Sequence, residues 1–100
     1  MITVVKSDVF LKWLQSLRDI KAVARIQIRV DRLALGNPGD VKAVGEGVSE
    51  MRVDYGPGYR VYFTRRGNTV VLLLCGGDKR SQKADILSAR KMAKEFEHGS

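Results

Sequence analysis

The sequence predicts an α+β fold, with an N-terminal helical hairpin packed on an antiparallel β-sheet and a C-terminal helix. Two observations predict it. Apolar residues recur at helical spacing over residues 8–35 and again over 82–96, whereas residues 40–75 read as short strands separated by glycine-bearing turns. A third bounds it: 100 residues, 44% of them hydrophobic, suffice for one modest core. No repeat or long linker divides the chain, so residues 1–100 are expected to form one domain with a polar tail at 97–100.

Ile2 to Val5 is short and β-branched, and reads as a first strand. Ser7 is placed to cap a helix from about Asp8 to Leu17, with Val9, Phe10, Trp13, Leu14 and Leu17 on one face. Trp13 lies within that stripe, so it reads as a core anchor rather than a platform for stacking a base. Asp19 caps a second helix, Ile20 to about Leu35. Val23, Ile26, Val30 and Leu33 form its apolar stripe. Lys21, Arg25, Arg29 and Arg32 form a basic stripe, read as a solvated face ahead of an RNA-binding one. The short link makes the two helices an αα-hairpin. Gly36 suits the position just past the second helix, and Pro38 forbids its continuation.

Asp40 to Val44 reads as a strand followed by the turn Gly45-Glu46-Gly47. Val48 to Tyr55 and Tyr59 to Arg65 are the next two strands, joined by Gly56-Pro57-Gly58, where proline fixes φ and glycine tolerates φ > 0. A loop of those three residues sets Tyr55 opposite Tyr59, Val53 opposite Val61 and Met51 opposite Phe63 on one face. The other face then pairs Asp54 with Arg60, Arg52 with Tyr62 and Glu50 with Thr64. A loop of even length would exchange the faces. After the turn Arg66-Gly67-Asn68, the unbroken Val and Leu of Thr69 to Cys75 read as a central strand buried on both sides, ended by Gly76-Gly77. Ser81 caps a last helix, Gln82 to about Phe96, with Ile86, Ala89, Ala93 and Phe96 on one face. The expected core is Trp13, Leu14, Ile26, Val61, Phe63, Leu72 and Leu74.

The net charge is +7 and the pI about 9.9, with the excess spread along the chain. Such a domain suits a polyanionic partner: RNA, DNA or an acidic protein segment. The single cysteine, Cys75, excludes an internal disulfide and suits a reducing cytoplasm. No run is long enough to span a bilayer and no secretion signal is visible, so no membrane partner is expected. One cysteine and one histidine, His98 in the tail, make no metal site and no nucleophilic triad. Gly76-Gly77-Asp78-Lys79 lacks the pattern of a phosphate loop, and no cofactor is expected. What remains is a set of cations on a sheet: Arg52, Arg60 and, just past the central strand, Lys79. Arginines can fork a phosphate and stabilise charge that builds on it in a transition state. The competing reading is that Arg60 pairs with Asp54, and Arg52 with Glu50 or Asp54, across the ladder.

Glu50-Met-Arg-Val-Asp-Tyr-Gly-Pro-Gly-Tyr-Arg-Val-Tyr-Phe63, followed by Leu72-Leu-Leu-Cys-Gly-Gly-Asp-Lys79 and Gln82, resembles the addiction-module killer proteins of the RelE/HigB toxin superfamily. Phe10, Trp13, Leu14, Leu17, Asp19, Arg25, Arg32 and Gly36-Asn37 fit the same pattern, so the resemblance covers nearly the whole chain. It implies a RelE/ParE-like fold and a toxin held inactive by a cognate antitoxin, a helix-turn-helix protein encoded beside it. It also implies mRNA cleavage on the ribosome by attack of a 2′-OH on its own 3′ phosphate. By this resemblance Arg60 takes a phosphate-stabilising position, and Arg52 and Lys79 line the same groove. Lys42, Arg80 and Lys83 are the expected RNA contacts. Several members carry a Tyr or His near the chain end as acid or base. The last helix offers none before Phe96, which leaves Lys79, Asp78 or Tyr62 for that work. Related toxins of this fold poison DNA gyrase without cleaving anything, and a basic binding module without activity is a third possibility.

Overall fold

The computed structural model describes residues 2–98. The elements run β1 (Thr3–Lys6), α1 (Asp8–Ser16), α2 (Ile20–Ala34), β2 (Val41–Gly45), β3 (Val48–Val53), β4 (Tyr59–Arg66), β5 (Val70–Gly77) and α3 (Gln82–His98). The fold is α+β, as the periodicities predict. Of the tail expected at 97–100, residues 97 and 98 belong to α3, and residues 99 and 100 lie outside those described. No helix among the described residues is long and apolar enough to cross a membrane.

The five strands lie in the order β1-β5-β4-β3-β2. The sheet is not wholly antiparallel as expected, because β1 runs parallel to β5, with Thr3 opposite Val70 and Lys6 opposite Leu73. Parallel neighbours need a long connection, and everything from α1 to β4 supplies it. Ser7 fixes the arrangement. Its N–H donates to the Leu73 carbonyl (3.1 Å) and its hydroxyl to the Leu74 carbonyl (2.6 Å), while its Oγ accepts from the Phe10 N–H (3.0 Å). One side chain therefore caps α1 and ties it to the middle of the sheet.

The caps of α2 are those read from the sequence. Asp19 accepts from the N–H groups of Lys21 (2.9 Å) and Ala22 (3.3 Å). At the other end Gly36, at φ +85°, lets Asn37 N–H reach the Arg32 carbonyl (2.9 Å) and Gly36 N–H reach that of Leu33 (3.0 Å), a Schellman closure.

The register between β3 and β4 differs from expectation by two residues. Val53 pairs with Tyr59, Met51 with Val61, Arg52 with Arg60 and Glu50 with Tyr62. The connection is residues 54–58, because the Tyr55 carbonyl accepts from Gly58 N–H (3.1 Å) and Asp54 and Tyr55 leave the ladder. Five and three are both odd, so each residue keeps its expected face although its partner changes. Asp54 thereby loses its place opposite Arg60. A second irregularity, a bulge where Tyr62 pairs with Cys75 but Phe63 with Leu73, inserts Leu74 as an extra residue of β5.

The sheet is covered on both sides. Phe10, Ile26, Val30 and Leu33 of the hairpin pack on Met51, Val53, Val61, Phe63, Val71 and Leu73. Ala89 and Ala93 of α3 pack on Val48, Tyr62, Leu72, Leu74 and Cys75. Ile26, Val61, Phe63, Leu72 and Leu74 are buried as expected, but Trp13 and Leu14 are only half-buried. The Trp13 ring lies over Gly76, where a Cβ would come within 2.2 Å of it, and contacts Phe10 (5.9 Å) and Tyr59 (6.3 Å). Gly76 and Gly77 do not follow the strand but are its last two residues. A Cβ on Gly77 would stand 1.9 Å from the Asp85 carboxylate.

Candidate functional site

The α3 face of β3 and β4 carries the polar residues. Lys42, Glu50 and Tyr62 lie opposite one another across three strands, followed on the same face by Arg52 opposite Arg60. Glu50 is the hub. It is 0% exposed, yet charged and fully engaged. Its Oε2 accepts from the Tyr62 hydroxyl (3.0 Å) and the Gln82 amide (3.0 Å), and its Oε1 accepts from Arg52 Nε (3.2 Å). Arg60 Nε stands 3.7 Å from the same Oε2. Burial alone would push the Glu50 carboxyl up. The hydrogen bonds from Gln82, Arg52 and Tyr62, with the charge of Arg60, outweigh it and hold the group below its ordinary value. A buried carboxylate is tolerated only with such partners.

Two arginines are held against this anion in different ways. The Arg60 side chain is 13% exposed and gives one guanidinium N–H to the Gly58 carbonyl (2.9 Å). Its Nε is buried without a hydrogen-bond partner among the described residues. Arg52 is 39% exposed and opens toward solvent. Both line a depression of about 200 Å³ with Asp40, Val53, Asp54, Gly58 and Tyr59. Lys79, outside that lining, comes near: a Cβ placed on Gly58 would meet Arg60 at 3.6 Å and the Lys79 Cβ at 4.0 Å. The loop after β5 therefore brings an exposed lysine beside the turn that Arg60 touches.

The other expected residues fall into two groups. Tyr62 is fully buried, and burial together with the Glu50 charge pushes its phenol far above its usual range. It orients Glu50 and does not reach the surface. Asp78 accepts from the N–H groups of Arg80 (2.8 Å) and Ser81 (3.3 Å) and from the Arg80 guanidinium (3.3 Å). Partial burial would raise its carboxyl, but these donors hold it below the ordinary value, so it is an anion that shapes the loop before α3. Lys42, Arg80 and Lys83 are exposed.

The pairing of Arg52 with Glu50 that the sequence offered is present (3.2 Å), but sequence reasoning missed the burial of Glu50, its meetings with Tyr62 and Arg60, and the role of Gln82. A register displaced by two residues set Glu50 against Thr64 and hid its meeting with Tyr62. The signal for Gln82 was its place within the motif, three residues past Lys79. Arg29 was read as part of a solvated stripe, but its guanidinium donates to the carbonyls of Arg52 and Pro38 (3.0 Å), bracing the strand that carries Arg52. A larger depression, about 550 Å³, lies at the other end of β4 among Gly47, Arg65, Arg66, Lys94 and Phe96. Its lining contains none of the expected site residues.

The family model for phage derived protein Gp49-like (DUF891) matches residues 12–96. A protein of Haemophilus influenzae described as uncharacterized is 46% identical over 87 residues, which cover 87% of this chain and 88% of that protein.

Proposed function

The chain belongs to the Gp49-like family of phage-derived proteins, and from that premise we propose that it is the toxin of a type II toxin–antitoxin system, acting in the cytoplasm as a ribosome-dependent mRNA endonuclease. The observation that carries this reading is Arg60. Its guanidinium is fixed between the Glu50 carboxylate and the Gly58 carbonyl at the mouth of a depression that Arg52 also lines, with Lys79 beside it. A phosphate seated there meets a cation that need not reorganise as charge builds.

In the proposed reaction the 2′ oxygen bonds to the adjacent phosphorus and the bond from phosphorus to the 5′ oxygen breaks. The 2′ proton passes to a base, and the departing 5′ oxygen takes a proton from an acid. Arg60 and Arg52 bear on the non-bridging oxygens. This reading assigns the proton transfer to Lys79, which is exposed beside the turn at Gly58. Asp78 is ionised and suits a base rather than an acid, and Tyr62 acts only by holding Glu50. Lys42, Arg80 and Lys83 lie outside the depression's lining and suit contacts to flanking phosphates. The antitoxin and the ribosome with its mRNA are the partners this reading requires.

The test is single-turnover cleavage of mRNA on programmed ribosomes. Wild-type chain should cut within the A-site codon, and Arg60→Ala should cut far more slowly while its circular dichroism is unchanged. Induced expression that raises an SOS response with intact mRNA would move the protein to the gyrase-poisoning class.

A further inference from the structure

The outer side of α2 is apolar where it faces water. Ile20 is 83% exposed, Ile28 48% and Leu35, just past the helix end, 83%. With Ala24 they recur at the spacing of one helical face, opposite the buried Ala22, Ile26, Val30 and Leu33. Three large aliphatic side chains share one side of this surface helix, with the exposed Ala24 between the first two, unlike the single exposed residues that any surface carries. Cations border the stripe on one side: Lys21, Arg25 and Arg32 lie next to it on the wheel. Arg25 is held in place, its guanidinium 4.8 Å over the Tyr55 ring, whose hydroxyl donates to Asp19 (3.0 Å). Gln27 lies on the opposite border and donates to the exposed Asp31 carboxylate (2.9 Å), which stands in the row between Ile28 and Leu35.

A depression of about 220 Å³ opens beside the cationic border, lined by Arg25, Ile28, Arg29, Arg32, Val53 and Asp54. Val53 and Asp54 also line the depression that holds Arg52 and Arg60, so the two are neighbours.

We propose that the outer face of α2 docks an amphipathic helix of a partner protein, with aliphatic residues laid along Ile20, Ile28 and Leu35 and an acidic flank against Lys21, Arg25 and Arg32. Charge complementarity selects this occupant: a second copy of α2 would bring the same cations together, and nucleic acid would leave the aliphatic stripe wet. The neighbouring depression lies within reach of the segment that follows the docked helix, which can run on toward Arg52. The surface does not rest on the function proposed above; only the identification of the partner as the antitoxin does.

The probe is a synthetic helix with leucines along one face and glutamates bordering them, titrated into the full chain at low and high salt beside the same peptide with lysines for glutamates. The acidic helix should bind at least tenfold more tightly than the lysine helix, and less tightly as salt rises. Ile28→Asp should weaken it tenfold or more, as should Ile20→Gln with Leu35→Gln, two exposed positions where folding is not at risk. Leu87→Asp, an exposed apolar residue of α3, should leave it unchanged. Equal binding of both peptides, no binding, or indifference to the α2 variants overturns the proposal. A dimer in sedimentation that Ile28→Asp dissolves also overturns it, giving the face to a second copy. So does RNA binding that Arg25→Glu abolishes while Ile28→Asp has no effect on any ligand. None of these outcomes touches the cleavage assay, so surface and chemistry stand or fall separately.

Discussion

On the hairpin side of β3 and β4 stand Met51, Val53, Val61 and Phe63, and on the α3 side of the same strands stand Glu50, Arg52, Arg60 and Tyr62. The first set is held by burial alone, which asks for volume and shape but not for particular partners. The second set is equally inaccessible at its centre, with Glu50 and Tyr62 both fully buried, but there each polar atom needs a named partner. Alternation along one strand thus places a tolerant face and an exacting face within a single residue of each other. Substitutions on the first should change stability and spare chemistry. Those on the second should do the reverse wherever the Glu50 network survives.

Phe63→Ala sets the scale for the apolar face. Phe63 is 1% exposed in the centre of the hairpin-side core. Its truncation should cost about 3–5 kcal/mol in urea unfolding, with per-molecule cleavage by the folded fraction unchanged. A loss of cleavage larger than the loss of folded protein would erase the distinction between the faces.

Arg60→Ala is the counterpart on the polar face. Loss of one preorganised donor to a developing oxyanion typically costs about 2.7–4 kcal/mol, or roughly 10²–10³ in rate. Single-turnover cleavage should fall by that factor, and Arg60→Lys should recover only part, since an ammonium lacks the guanidinium's fork. Wild-type cleavage by Arg60→Ala would reduce Arg60 to a structural counter-ion of Glu50.

Glu50→Gln tests the hub through pH. The folded carboxyl lies below its ordinary value of 4.5, so it contributes stability above that value and loses the contribution as pH falls through the folded value. At pH 7 the variant should be less stable by about 1.5–3 kcal/mol, the worth of a hydrogen bond to a charged group. The gap should narrow steadily below about pH 4.5, because glutamine does not titrate. A gap constant from pH 7 to pH 3, followed by urea midpoints, would mean that the carboxyl's charge is not what organises the face.

The faces were legible in the sequence because their assignment depends only on whether the turn is odd or even. Gly56-Pro57-Gly58 signalled an odd loop, and the lengthening from three residues to five kept Arg52, Arg60 and Tyr62 together. Partners depend on the full register, and no residue near the turn marks where the ladder stops, so the Glu50–Tyr62 meeting was hidden. The parallel pairing of β1 was equally hidden: four β-branched or polar residues at a chain end carry no sign of which strand they join. Trp13, expected in the core, is only half-buried, because periodicity gives the face of a helix, not how far its neighbours extend over it. Tyr62 looked like a surface group available for chemistry because nothing in the alternation announces that α3 covers it.

The smallest expected effect bears on the register itself. With a three-residue loop Asp54 would face Arg60 across the ladder and neutralise it. In the structure Asp54 is an exposed loop residue, and the ion pair of Arg60 is with Glu50 at 3.7 Å. Asp54→Asn should therefore change stability by no more than about 0.5 kcal/mol, as for surface substitutions away from special features. The sharper measurement is a pair of double-mutant cycles in urea. Arg60→Ala combined with Asp54→Asn should be additive within about 0.3–0.5 kcal/mol, whereas Arg60→Ala combined with Glu50→Gln should deviate by about 0.5–3 kcal/mol. Residues in one network share the cost of its disruption: once the carboxylate is gone, removing the guanidinium relieves an unpaired buried cation instead of breaking a pair. If the coupling appears with Asp54 and not with Glu50, the strands are paired two residues away from the register described, Glu50 faces Thr64, and the fixed arginine on which the proposed chemistry depends has no anchor.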